Sequence, residues 1–258
     1  MTTTVESGFS TESGSRRADR ARLFAQPAAV VVIVGAVLIW AMTRNNDSIE
    51  KESLNWSTLL GDTWHHLLIT IAVAVIVVVI SVPLGMMLTR SWARPVAPFF
   101  LAIANIGQAA PALGVIVLFF LWTSWEGFWC AVLPIAFYSL LPVLRNTIVG
   151  IDAVDPALTD AGRGIGMSGA GVLFRIEMPL AIPLILAGLR TSLVLAVGTA
   201  TLAFFVNGGG LGELIDTGYK LNRTPVLIVG AVLAVGLALL IDWIGAVLEE
   251  LLGPRGLS

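Results

Sequence analysis

The chain is poor in the residues that build most catalytic and metal sites. It has one cysteine, Cys130, in 258 residues. One cysteine excludes an intrachain disulfide and a thiolate metal site. Its place in an apolar run marks Cys130 as a small filler. The two histidines, His65 and His66, are adjacent, so on a helix they point in different directions and make a poor chelating pair. Charge is scarce too. Asp, Glu, Lys and Arg make up 12% of the residues, half the roughly 25% of an ordinary soluble domain. Such a chain cannot cover a water-facing surface. The formal net charge of −2 argues neither for nor against nucleic acid, and none is expected as a partner. No Walker A pattern, G-x4-G-K-[ST], occurs, so ATP hydrolysis is not expected. No nucleophile, metal set or carboxylate pair falls at one depth, which argues against an embedded enzyme.

What the chain has in excess is apolar residues, 57% of the total, with a mean hydropathy of +0.89. Burial in lipid follows. A membrane helix needs about 20 mainly apolar residues. Runs of that kind fall near 27–43, 65–88, 96–122, 127–149, 180–206 and 225–248, which predicts an all-α polytopic membrane protein with about six transmembrane helices. Gly107 and Pro111 predict a kink or break in the third. Residues 1–25 are polar, end in Arg16, Arg17, Arg20 and Arg22, and read as a disordered tail. The first apolar run reads as a retained span, since no small-residue cleavage site follows a polar leader this long. The expected transmembrane domain is 26–252, with a short tail at 253–258.

Lys and Arg in short flanks set the orientation. The tail, the segment 89–95 with Arg90 and Arg94, and the segment 144–178 with Arg145, Arg163 and Arg175 fall on one side if the spans number six. Both termini and the loop 151–179 are then cytoplasmic. The segments 44–64 and 207–224 and the turn near Glu126 lie outside.

Within the cytoplasmic loop, Asp155 can cap a helix that Pro156 opens. Ala157–Ile165 reads as a short helix with Leu158, Ala161 and Ile165 on one face, ended by Gly164 and Gly166. Ser168 can cap a second stretch, Val172–Glu177, before Pro179 opens the next span. An apolar stripe on a short helix is a common way to enter a groove on another protein. A literal G-x-G-x-x-G at Gly164, Gly166 and Gly169 follows no strand and is read as coincidence.

Asp160 to Pro179, DAGRGIGMSGAGVLFRIEMP, resembles the EAA motif of ABC-importer permeases, E-A-A-x3-G-x9-I-x-L-P. Asp160, Ala161 and Gly162 stand at the opening triplet, Gly166 at the glycine, Ile176, Met178 and Pro179 at the close. Every spacing agrees. Asp for Glu, Gly for Ala and Met for Leu are departures. VDPALTDAGRGIGM, MPLAIPLILAGLRTS and GTATLAFFVNGGGLGELI look like permeases of compatible-solute importers, and the similarity covers roughly 60–225. The resemblance implies a type I ABC importer permease fold and a cargo such as glycine betaine, carnitine, choline or proline. The implied partners are an ABC ATPase pair that uses ATP and Mg, an extracytoplasmic solute-binding protein, a second permease subunit and the bilayer of the cytoplasmic membrane. The chain itself would bind no cofactor or metal. Some relatives fuse a solute-binding domain at the C-terminus; here it would be a separate protein.

Candidates for the translocation path are Gln108, Pro111, Asn146, Arg190 and Asn207. Arg190 lies inside an apolar run, where an unpaired charge is costly. It either lines the path near a substrate carboxylate, pairs with Asp242, or sits lower where the loop leaves the bilayer. Asn105, Gln108, Asn146 and Asn207 are amides that touch solute or bond helix to helix. His65 and His66 read as interfacial. Trp56, Trp64, Trp122, Trp125 and Trp129 read as an aromatic belt, with a quaternary-ammonium cage as the alternative. Two rival functions remain. One is a permease for an amino acid such as methionine, and the other is a passive osmotic channel.

Overall fold

The structure is a computed structural model that describes the backbone of residues 9–252 and the side chains of residues 24–252. The described residues form eleven α-helices joined by short turns, with no strand among them. They are α1 (Phe9–Met42), α2 (Ser48–Ser53), α3 (Trp56–Leu88), α4 (Ala97–Ala109), α5 (Ala112–Thr123), α6 (Phe128–Asp152), α7 (Pro156–Gly164), α8 (Gly169–Val172), α9 (Met178–Ala200), α10 (Gly212–Lys220) and α11 (Thr224–Leu252). Five helices are long and apolar enough to cross a membrane, or six if α4 and α5 count as one broken span. Helix α1 is drawn from Phe9, inside the stretch read as a disordered tail. Residues 1–8 of that tail and the short tail 253–258 lie outside the described residues.

The break in the third span has a local cause. Pro111 restricts the residue before it, and Ala110 is extended at φ −68°, ψ 146°. The two halves meet at 101°. This is far sharper than a kink, and it makes α4–α5 a bent pair packed on α6.

Helices α3, α6 and α9 form the centre. Their core is Ile69, Val73, Val77, Ile135, Val143 and Ala196, with Cys130 fully buried among them. Hydrocarbon lipid offers no hydrophobic drive between helices, so small residues and polar bonds join them. The Ser192 hydroxyl donates to the Ser139 carbonyl at 2.8 Å, and Ser81 donates to Leu140 at 3.3 Å. His66 Nε2 donates to the Val197 carbonyl at 3.0 Å.

That last bond corrects the interfacial reading of His66, which is fully buried. The cause is the start of α3. Asn55 accepts from the Thr58 N–H and begins the helix at Trp56, nine residues before the expected start at 65. His66 therefore stands in the third turn and faces α9, while His65 stays exposed. The fifth span also ends early. Helix α9 stops at Ala200, and a 3-10 turn, Ala203–Val206, replaces its expected last turn.

Apolar residues on the outward faces are left uncovered. Val31, Val32, Val75, Val79 and Leu118 are all exposed. That is untenable in water over so large a surface and ordinary against lipid. Trp56, Trp64, Trp122, Trp125 and Trp129 are exposed as well.

Candidate functional site

The loops sort to two ends of the bundle. At one end the turn after α3 meets the loop after α6, through Arg90–Glu177 at 2.5 Å and Arg94–Asp152 at 3.4 Å. At the other, Arg223 pairs with Asp47 at 2.6 Å, and the Gly127 N–H donates to Val206 at 2.7 Å. The segments 89–95 and 144–178 thus meet at one end, and the segments 44–64 and 207–224 meet at the other.

The loop between α6 and α9 is built from its caps. Asp155 accepts from the Ala157 N–H at 2.8 Å, and Pro156 takes the first helical position. The C-terminus of α7 closes with two bonds. The Gly166 N–H donates to the Arg163 carbonyl and the Met167 N–H to the Gly162 carbonyl, at 2.9 and 3.0 Å. This is a Schellman turn. It requires a left-handed residue, and Gly166 supplies it at φ +89°. The motif glycine is therefore a helix terminator. Ser168 then accepts from the Gly171 N–H at 3.1 Å and starts α8.

The next stretch departs from expectation. Ser168 does not cap Val172–Glu177. It caps α8, and Leu173–Glu177 forms a π-helical turn that runs unbroken into α9. Pro179 explains the widening. It has no N–H, and its ring would crowd the carbonyl four residues back in a regular α-helix.

Helix α7 presents Leu158, Ala161 and Ile165 to solvent. Leu158 is 47% and Ile165 is 79% exposed, so no part of the described chain covers this stripe. The other side of α7 is packed. Gly162 is buried, and a Cβ there would stand 2.6 Å from Ile176 Cδ1. Motif residues therefore play three parts. Gly166 ends the helix, Gly162 and Ile176 seat it on the π turn, and Met178 and Pro179 begin the span. Asp160 is exposed and only 3.6 Å from Arg163, a weak surface pair. A cavity of about 660 Å³ separates α7 and α8 from the turn after α3 and is lined by Trp92, Arg94, Asp152, Thr159 and Arg163.

The path candidates are dispersed. Gln108 and Pro111 flank the bend between α4 and α5. Asn146 packs against Gly188 where α6 crosses α9. Arg190 forms a two-pronged pair with Asp242, at 2.6 and 2.8 Å, and reaches Glu249 at 3.3 Å. The pair with Asp242 that the sequence allowed for Arg190 is present. Gln26 donates to Asp242 at 3.5 Å and joins α1 to the cluster. This group opens on a cavity of about 420 Å³. Asn207 is left-handed at φ 58° and lines a separate cavity of about 390 Å³ with Asp62, His65, Phe128 and Glu213. Neither cavity holds another of the candidates. Asn105 bonds within its own helix, to Leu101 at 2.7 Å.

Sequence reasoning missed Glu177 and the role of Arg90. A carboxylate between Ile176 and Met178 at the foot of a span was the available signal, since such a group needs a partner.

With this geometry in place, comparison decides the family. Residues 81–253 match the family described as "Binding-protein-dependent transport system inner membrane component". The chain belongs to that family. It is 41% identical over 204 residues to the glycine betaine/carnitine/choline transport system permease protein OpuCB of Bacillus subtilis (strain 168), covering 79% of this chain and 93% of that one. The choline transport system permease protein OpuBB of the same organism is 41% identical over the same shares. Among solved structures, the inward-facing MetNI methionine ABC transporter is similar at a TM-score of 0.66 and 23% identity, over 76% of this chain and 96% of that chain. At that identity the likeness speaks for the fold alone, the type I ABC importer permease fold. This member of the binding-protein-dependent permeases is thus a multi-pass inner-membrane transport subunit and not an enzyme. Membership implies a solute-binding protein and an ATPase as partners, with ATP used by the ATPase.

Proposed function

We propose that this permease moves an osmoprotectant quaternary amine, of the glycine betaine, carnitine and choline class, across the cytoplasmic membrane. The observation that carries this reading is the 41% identity to OpuCB over 93% of that protein's length. Domain 26–252 forms the path together with a second permease subunit. The partly exposed Arg190–Asp242–Glu249 cluster on spanning helices supports a second subunit, because such a face is costly against lipid.

The loop 151–179 is the contact with the ATPase. Its exposed Leu158–Ala161–Ile165 stripe enters a groove on that partner, and Asp160, Ala161, Gly162, Gly166, Ile176, Met178 and Pro179 hold or transmit the contact. Closure of the ATPase pair on ATP pushes α7, and α7 pushes the π turn and α9. Transport against a gradient then needs two states with different affinities for the solute, the binding protein favouring one and ATP turnover restoring the other. The chain itself binds no nucleotide. Both termini and this loop face the cytoplasm, in accord with the Lys and Arg distribution. Gln108, Pro111, Asn146, Arg190 and Asn207 remain the path residues of this reading.

Uptake into liposomes holding the permease, its ATPase and its binding protein tests the proposal. Radiolabelled glycine betaine should accumulate only with internal ATP, and choline or carnitine should compete. Competition by methionine but not by choline would overturn the cargo. Equilibration without ATP would mark a passive channel.

A further inference from the structure

We infer that Arg90 and Glu177 form a latch that makes the cytoplasmic end of α3 move with the foot of α9, so that force from α7 reaches two spans at once. The inference rests on the transport reading above and adds positioning residues, Arg90 outside the EAA stretch and Glu177 at a position the EAA pattern leaves open.

The geometry carries it. Glu177 is the last residue of the π turn and is 6% exposed, although it is a carboxylate at the edge of the bilayer. Its oxygens face Arg90 Nη2 at 2.5 Å and Nη1 at 3.5 Å, a forked arrangement. Arg90 is itself held. Its Nε and Nη2 donate to the Thr89 hydroxyl at 3.3 and 2.9 Å, and that hydroxyl donates to the Met86 carbonyl at 2.8 Å. Thr89 caps α3, and the Arg90 carbonyl accepts from the Ala93 and Arg94 N–H groups. The guanidinium is thereby tied to the end of α3.

The other side of the connection is as short. Gly162 of α7 packs on Ile176, and Glu177 is the next residue. The path from the exposed helix to α3 is α7, Ile176, Glu177, Arg90. A π turn is a weaker, wider coil than the α-helix on either side, and such turns concentrate at functional sites. Here it would let the foot of α9 tilt under load. Without a cross-link that tilt would be absorbed locally. The pair, with Glu177 buried and Arg90 partly so, joins the soft turn to α3 and converts a local bend into a shared displacement.

The test uses the whole complex of permease, ATPase and binding protein in liposomes, reading solute imported per ATP hydrolysed. Glu177→Gln keeps the shape and removes the charge. It should retain ATPase co-purification and hydrolysis while solute per ATP falls by about tenfold, within the usual range of coupling between sites. The exchange Arg90→Glu with Glu177→Arg should restore the ratio. A merely structural pair would lower yield without changing that ratio. A wild-type ratio in Glu177→Gln, or no recovery in the exchange, overturns the latch.

A variant that fails to assemble leaves a second measurement in the wild-type background. Spin labels at Ser91→Cys and Phe174→Cys, both exposed, report the separation of the two elements, and the buried Cys130 adds no label. The separation should change by no more than about 2 Å, a small helix shift, between nucleotide-free and ATP-trapped complexes. A larger change overturns the latch. A wild-type complex that accumulates no quaternary amine sinks the transport reading alone, since the spin-label distances still judge the latch.

Discussion

Helices α7 and α10 are each nine residues long, lie in the loops on either side of α9, and have opposite fates. Helix α10 is absorbed into the bundle. Leu214 is 3% exposed and joins Leu54, Leu59, Val226 and Val229 in one cluster. Its glycines touch backbone: a Cβ at Gly218 would stand 2.3 Å from the Leu227 nitrogen. Helix α7 keeps one glycine on the bundle and turns its apolar stripe away. The difference teaches what each end of the molecule is for. A short helix that spends its apolar face on its own chain is structural. One that leaves it uncovered, with both ends tightly capped, is what the proposed ATPase contact calls for.

The comparison can be broken by mutation. Gly218→Val should be the most damaging change. It drives a side chain into backbone, an overpacking cost of about 1–3 kcal/mol or more. The purified permease should melt at lower temperature in detergent or fail to express, and an unchanged midpoint would show that α10 is not wedged.

Gly166→Ala should cost about 1–2 kcal/mol, the penalty of a left-handed residue with a Cβ. Because α7 touches the bundle along one side only, the damage should stay local, with weaker ATPase co-purification and a nearly normal melt. Asp155→Ala removes the cap at the other end of α7, at about 1 kcal/mol, and should give a milder form of the same defect.

Ile165→Glu should have the smallest effect on stability, within about 0.5 kcal/mol, as for an exposed position. Uptake and ATPase co-purification should nevertheless be lost. If both survive, the stripe is not the docking surface. As a sharper form of the same test, Ile165→Cys should react with a membrane-impermeant maleimide only from the cytoplasmic side.

Much of this was legible from residue order. The caps at Asp155 and Gly166 are local devices, decided within five residues of chain, and both formed; Ser168 caps as well, but it starts α8 rather than Val172–Glu177. The break at Pro111 is likewise local, though its 101° angle is not. What escaped was set by distance. Arg90 and Glu177 are far apart in sequence, and nothing near either names the other. His66 resembled a rim residue because the apolar run seemed to start beside it. The Asn55 cap moved the helix start outward, and contact with Val197 then buried the ring.

The sequence by itself determined that this chain lives in lipid, which stretches carry its long apolar helices, and that one capped loop carries an EAA-like pattern. Those outcomes depend on composition, short-range hydrogen bonds and the conformational limits of proline and glycine, all of which act over a few residues. Tertiary structure alone decided which apolar faces are covered, which charges meet, and that α7 rather than α10 is left open. Burial and ion pairing are relations between distant parts of the chain, and they exist only once the helices have packed.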